Sequence, residues 1–319
     1  MDLVRNRLVL AALVTALIHA AGVNAADKLR VGKPIPDGFD FAILDVGMAK
    51  GFYRDENLDI DEFVLAGGAK LHQAMVAGSL DIGLASGTDF GFIAKGAPEK
   101  AVAAMAGDPI NMALVVWNSG RIKTVADLKG GKVSVSTVPS LTSWLAQQVS
   151  LREGWGVDGV QLVGTGGGAG AAISALSTGN IDAASASYEM GLHLEETGQG
   201  RILLSFGSFV SPFLTHVIYA TDDLMQRNPD ALRRFLRAWF RTVVFMRGHK
   251  DETVALTQPI MGVSAAVVAK TYDVEMPIYF TDGHFDRKAV EVVKKSLVDM
   301  GQVDKMPDDK DLFTEKFLQ

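Results

Sequence analysis

Apolar positions in this chain follow two periods that alternate along most of its length. KLRVGKP (28–34) and LDIDEFVLA (58–66) are short apolar runs of strand length, and AILDVGMAKGFYRDEN between them spaces its apolar residues as a helix ending around Gly51. Strand, helix, strand in this order is a βαβ unit. A glycine turn at Gly67-Gly68 follows, then a predicted helix from about Lys70 to Ala77, then the strand LDIGLAS. AVAAMAG and MALVVWN read as two further strands.

The pattern then begins again. IKTVADLKGGK (122–132) predicts a polar helix and a turn, VSVST a strand, and the stretch from about Ser140 a helix; VQLVGT, a second glycine turn, another helix and IDAASAS complete the series. LHQAMVAGSLDIGLAS (71–86) and GAAISALSTGNIDAASAS (170–187) are therefore two copies of one arrangement: helix, Gly, apolar residue, Asp and a small-residue run ending in Ser. Parallel strands joined by helices imply right-handed crossovers, hence an α/β protein with a doubly wound sheet in each of two lobes. Ligands of such sheets lie beyond the carboxyl ends of the strands, against helix N-termini, so two facing lobes enclose a cleft. FLTHVIYAT (213–221) is expected to return the chain to the first lobe with MALVVWN as its partner, which places the hinge near Val116 to Gly120 and Ser211 to Ala220. The expected divisions are a leader at 1–25, the first lobe at 26–117, the second lobe at 118–214, and a return with C-terminal helices at 215–319.

Composition adds the compartment. Arg5 and Arg7 precede LVLAALVTALIHAAG, which is short for a membrane span and leads to Val23-Asn24-Ala25, the pattern of a secretory signal peptide cleaved after Ala25. Loss of Arg5, Arg7 and Asp2 with the leader takes the formal charge from −6 to about −7. A mildly acidic chain is a poor candidate for nucleic-acid binding. The absence of cysteine excludes a disulfide framework, thiolate metal sites and a lipidated N-terminal Cys, so a freely diffusing periplasmic protein is expected, a monomer without cofactor.

The candidate chemistry is non-catalytic. Gly164 to Ala169 fits the dinucleotide pattern G-x-G-x-x-A, but it stands in mid-chain and Gly67-Gly68-Ala69 does not share it; the glycines are read as permitting a tight turn and close backbone approach. Asp81 and Asp182 occupy equivalent positions in the two copies and are expected to anchor their turns. The six histidines show no metal spacing, and no G-x-S-x-G elbow occurs. Six arginines between Arg227 and Arg247 gather on and beside one helix, either as a solvated face or as a docking surface; Phe235, Leu236, Trp239, Phe240 and Val243 form its core stripe.

Four segments in order carry a resemblance. AILDVGMAKGFYRDENLDID, LHQAMVAGSLDIGLAS, VADLKGGKVSVS and NPDALRRFLRAW resemble successive signatures of periplasmic substrate-binding proteins of the nitrate, sulfonate and taurine class, the group shared with thiamine-precursor (NMT1/THI5-like) binding proteins. The resemblance implies a type II periplasmic-binding-protein fold, two lobes closing on a small ligand, and delivery to an ABC permease. Carried over residue by residue, it implies ligand contacts at Phe39, Asp40 and Phe41, at Ser86, Gly87 and Thr88, at Ser140, Thr142 and Trp144, at Gly166, Gly167, Gly168 and Tyr188, and at Phe213. VPSLTSW departs from the G-S start that many relatives show at the second-lobe helix, leaving Ser140 or Thr142 to supply the hydroxyl. No Arg falls in a cleft loop and only Lys33 is close, against Asp37, Asp40, Asp89 and Glu189. A sulfonate can rest on helix N-termini, whereas an aromatic or donor-bearing ligand, a carboxylate or a heterocycle, suits the aromatics better. Two other readings share the fold: an enzyme of the thiamine- or menaquinone-synthesis type, and a ligand-sensing partner of a membrane receptor.

Overall fold

The computed structural model describes residues 25–166 and 168–318; Gly167 and all but the last residue of the expected leader lie outside them. Ten strands form two sheets: β1 (Asp27–Lys33), β2 (Leu58–Val64), β3 (Ile82–Ser86), β4 (Glu99–Ala106), β5 (Met112–Trp117), β6 (Lys132–Val135), β7 (Gln161–Gly164), β8 (Ala183–Ser187), β9 (Gly200–Ser205) and β10 (His216–Thr221). The first sheet has the order β2-β1-β3-β10-β4 and the second β7-β6-β8-β5-β9. The two orders are the same path walked twice: three parallel strands, then one antiparallel strand supplied by a crossing, then an edge strand. This is the α/β, type II periplasmic-binding-protein fold expected from the sequence.

The crossing itself differs from the expectation. MALVVWN is β5, and it pairs antiparallel with β8 and β9 in the second sheet, while FLTHVIYAT becomes β10 between β3 and β4 in the first. The two are not partners, and the first sheet's share of the chain ends before residue 112 rather than at 117. The chain crosses at Gly107 to Asn111 and returns at Phe209 to Thr215. Met112 to Val116 are all buried, and a run buried on both faces carries no signal of which sheet covers it. The two crossing segments are tied together: Phe213 N–H and the Ser211 hydroxyl donate to Asp108 (2.8 and 2.6 Å), and Thr215 N–H donates to the carbonyls of Ala106 and Gly107. The polar helix expected after Ile122 is one 3-10 turn, Val125–Leu128, held by a Thr124–Asp127 capping box and stopped by Gly130-Gly131. β9 has no counterpart among the strands that periodicity predicts.

The repeated aspartates do the same work in both sheets. The Asp81 carboxylate accepts the Arg30 backbone N–H (2.9 Å) and its guanidinium; the Asp182 carboxylate accepts the Lys132 backbone N–H (2.8 Å) and the Arg121 guanidinium. Each ties the entrance of one parallel strand to its parallel neighbour, β3 to β1 in the first sheet and β8 to β6 in the second. The helix Pro229–Gly248 buries Phe235, Leu236, Trp239 and Val243 against the first sheet's outer core. Its arginines are mostly engaged: Arg234 with Asp27 and Asp230, Arg237 with Glu56, Arg241 with Asp55. These pairs fix the helix onto the first βα unit.

Candidate functional site

Both sheets present the carboxyl ends of their parallel strands to a shared cavity of about 180 Å³ lined from both sides. Five helices begin at its wall: Phe39–Ala49 and Gly68–Val76 on the first sheet, and Leu141–Arg152, Ala169–Ser177 and Tyr188–Glu196 on the second. The first turns of all five converge there, as the topology requires.

The second-sheet starts at 141 and 169 carry no acidic residue in the first turn and are dressed in hydroxyls. Ser140 caps its helix by accepting Ser143 N–H (3.1 Å); the Thr142 hydroxyl oxygen accepts Ser136 N–H (2.9 Å); the Ser134 and Thr165 hydroxyls are bonded at 2.7 Å. The other starts face carboxylates. Asp40 stands in the first turn of Phe39–Ala49, Glu189 in that of Tyr188–Glu196, and Asp89 lies so close over Gly68 that a Cβ there would come within 2.6 Å of its Oδ2.

Two charges near the cleft are already neutralised. Lys33 is buried and bridges Asp45 (2.9 Å) and Glu62 (2.6 Å). His72, fully buried, has one ring nitrogen on Glu99 (2.7 Å) and the other on Asp89 (3.2 Å), so both nitrogens act as donors and the ring is an imidazolium. Burial alone would lower its pKa; the bonds to Asp89 and Glu99 outweigh this and raise it to about 9.

Asp40 belongs to a buried acidic network. It accepts two bonds from the Asn111 amide (2.9 and 3.0 Å) and a third from the Tyr279 hydroxyl (2.9 Å). That hydroxyl is also 2.9 Å from Glu275 Oε2. A phenol has one proton, so with Asp40 as acceptor the second bond requires Glu275 to donate. Burial, with the nearby charges of Asp40 and Glu189, accordingly holds the Glu275 pKa well above the usual carboxylate range. Glu189 is pushed up to about 8, first by burial and then by the charge of Asp40; its own N–H and the Ser187 hydroxyl offset part of this.

Of the residues expected to touch a ligand, Asp40, Phe41, Ser86, Ser140, Thr142 and Gly168 line the cleft. The others lie outside its lining for identifiable reasons. Phe39 and Tyr188 hold the first position of their helices, one step of about 100° from the acids that follow them. Phe39 is buried edge-on to Tyr272 and Tyr188 packs on the second sheet's own apolar cluster. Trp144 and Phe213 stack on each other, 5.0 Å between centroids and 11° between planes, joining the lobes behind the cleft. Gly87 lies against the Leu214 carbonyl, Thr88 is buried with its hydroxyl on Ser86 (3.0 Å), and Gly166 makes the turn after β7 at φ +84°. Gly167 lies outside the described residues.

Sequence reading missed Ser134, Ser136, Thr165, Ser185 and His216, and counted Glu189 only as a nearby charge. Ser134 and Ser136 were legible, since alternation in VSVST places both on one face. Glu275 and Tyr279 approach from the C-terminal helices and left no local signal.

A family model described as NMT1/THI5 like matches residues 38–253. A curated protein of Brucella abortus, named only as a binding protein, is 28% identical over 265 residues, covering 80% of this chain and 79% of its own. Among solved structures, a Bordetella bronchiseptica protein superposes with a TM-score of 0.77 at 24% identity, covering 92% of this chain and 96% of that one. The alkanesulfonate-binding protein SsuA of Xanthomonas axonopodis, bound to MOPS, gives 0.76 at 16% identity, covering 92% and 99%. The desulfurization enzyme DSZB shares the fold at 0.62 and 17% identity, covering 91% and 97%. At these identities the solved structures establish the fold alone. The family model spans more than half of the chain, and the chain belongs to the NMT1/THI5-like family.

Proposed function

We propose that this protein is a periplasmic solute-binding protein that captures a small organic molecule between its lobes and delivers it to an ABC permease, without chemical turnover. One observation carries the reading: a cleft at the carboxyl ends of two sheets, walled by five helix starts drawn from both. The name of the Brucella abortus relative agrees with it, as do the periplasmic sulfonate-binding proteins of the same fold. Export would follow from the leader, with cleavage after Ala25, and the mature chain would act as a monomer.

The moving parts are the segments at Gly107 to Asn111 and Phe209 to Thr215. Ligand capture shifts the population toward a closed form, which the permease recognises. Small-angle scattering of the exported protein, with and without a compound that raises its melting temperature, tests this directly. Compaction on binding supports the reading. Binding with an unchanged radius of gyration, or turnover of the bound compound, overturns it.

A further inference from the structure

The cleft has two unlike poles. No Lys or Arg is among the residues that line it, and the nearby buried lysine, Lys33, is held by Asp45 and Glu62. At one pole, Asp40 comes from the first lobe and Glu189 from the second, with Asp37 beside them and the Tyr279–Glu275 pair behind. His216 Nδ1 stands 3.5 Å from Asp40, beyond hydrogen-bonding geometry, and His193 lies one turn along the helix from Glu189. At the other pole, hydroxyls and the acid-free helix starts at 141 and 169 offer hydrogen-bond donors.

Beside the carboxylates, two polar side chains of the lining that are more than nine-tenths buried, Ser185 and His216, each keep a polar atom, Oγ and Nδ1, without a hydrogen-bond partner in the protein. Phe41, Phe92, Met112 and Met261 supply apolar wall between the poles. Among the described residues no cluster of His, Asp and Glu is arranged to hold a metal ion.

We propose that the cleft selects a small organic cation or zwitterion, its protonated nitrogen seated between Asp40 and Glu189 and its acceptor atoms on the hydroxyl-lined helix starts of the second lobe. This rests on the solute-binding reading and names its ligand class. Two carboxyl groups from opposite lobes repel unless a proton or a cation lies between them. A cationic nitrogen placed there accepts both lobes' charge and favours the closed form, and an aromatic wall assists it through the ring face. A sulfonate at that pole faces the carboxyl groups of Asp37, Asp40 and Glu189, with only the imidazoles of His193 and His216 beside them. Burial and Asp40 push the Glu189 pKa up to about 8, so a cation bound between the two carboxyl groups favours the ionised form and releases a proton to solvent.

The test is isothermal calorimetry and thermal shift on the exported protein with a library of ammonium, amidinium and protonated N-heterocyclic compounds, their neutral isosteres, and sulfonates on the same carbon skeletons. Cationic or zwitterionic members are expected to bind at least about tenfold more tightly than the matched sulfonates. At pH 7 they should release close to one proton, read from buffers of different ionisation enthalpy. Glu189→Gln should abolish that release and weaken the best ammonium probe at least about tenfold while changing its neutral isostere less than about threefold. Asp40→Asn is the second variant should the first fail to fold. Sulfonates binding where cations do not, or an unchanged cation-to-neutral ratio in a folded variant, overturns the ligand class and leaves solute capture standing. Silence from all three classes on a cooperatively folded protein overturns solute capture as well.

Discussion

The two sheets are built on one plan and treat charge differently. Strand order, crossing strand, anchoring aspartate and helix starts correspond, yet among the described residues the first sheet buries an ionised cluster beneath its helix start and the second does not. Asp89, His72 and Glu99 form a closed triad under Gly68. At the matching second-sheet turn, Gly166 and Gly168 stand over open space, and the neighbouring Ser134 and Thr165 bond each other through uncharged hydroxyls. The repeated topology thus decides where helix N-termini point, and a few side chains in or near the first turn decide what charge they present.

The largest expected break in this comparison is at His72. His72→Leu leaves Asp89 and Glu99 buried without their cation and should cost about 3–5 kcal/mol of unfolding free energy in denaturant titration. No second-sheet substitution at the matching turn should approach that. The pH dependence has a definite sign. With a folded pKa of about 9 against 6.5, the His72 contribution is fully present below pH 6.5 and lost as pH rises through 9. Calorimetric melting between about pH 6 and 10 should show a steeper fall in the wild type than in the variant, in which the Glu189 loss below about pH 8 remains.

Glu189 gives the next effect, with the opposite response to substitution. Its folded pKa of about 8 lies above the ordinary value of 4.5, so the empty protein loses stability as pH rises from 4.5 to 8. Glu189→Gln should be nearly neutral at about pH 4.5 and stabilising by up to about 4 kcal/mol above about pH 8 in the absence of ligand. A variant no more stable than wild type at about pH 8.5 would refute the buried-proton account.

Smaller differences separate the ends of β3 and β8. Gly87 follows Ser86, and a Cβ there would come within 2.2 Å of the Leu214 carbonyl oxygen in the returning segment. The residue after Ser187 is Tyr188, which packs on the apolar cluster of its own lobe. Gly87→Ala should therefore cost about 1–3 kcal/mol by overpacking, and Tyr188→Phe under about 0.5 kcal/mol. Equal losses would show that the return does not press on this turn.

The aspartates give the mildest contrast. Asp81 is buried and its Arg30 partner half-buried, while Arg121 on Asp182 is largely exposed and screened. Asp81→Asn should cost about 2 kcal/mol and Asp182→Asn about 1 kcal/mol by denaturant titration. Reversal of that order would mean that burial does not govern these anchors.

Much of the architecture was legible because it rests on local periodicity. Apolar alternation and glycine punctuation located nine of the ten strands, and the repeated Gly, apolar, Asp unit identified the two entrances that Asp81 and Asp182 hold. The crossing was not legible, because β5 is apolar throughout and would suit either sheet. In the cleft, residues following strand ends were found where the hydroxyl or acid takes the cleft-facing step of the helix, as with Asp40, Ser140 and Thr142. They were misplaced where an aromatic took the neighbouring step toward the core, as with Phe39 and Tyr188.

By itself the sequence determined the α/β repeat, the two-lobed class and the shortage of cations near the cleft, since period, spacing and composition are properties of neighbouring residues. Only the tertiary structure decided that Lys33 and His72 are already paired, and that Asp40, Glu189, Glu275 and Tyr279 meet. Those contacts join positions separated by as many as 239 residues. Their protonation follows from burial and mutual charge, quantities that exist only once the chain has folded.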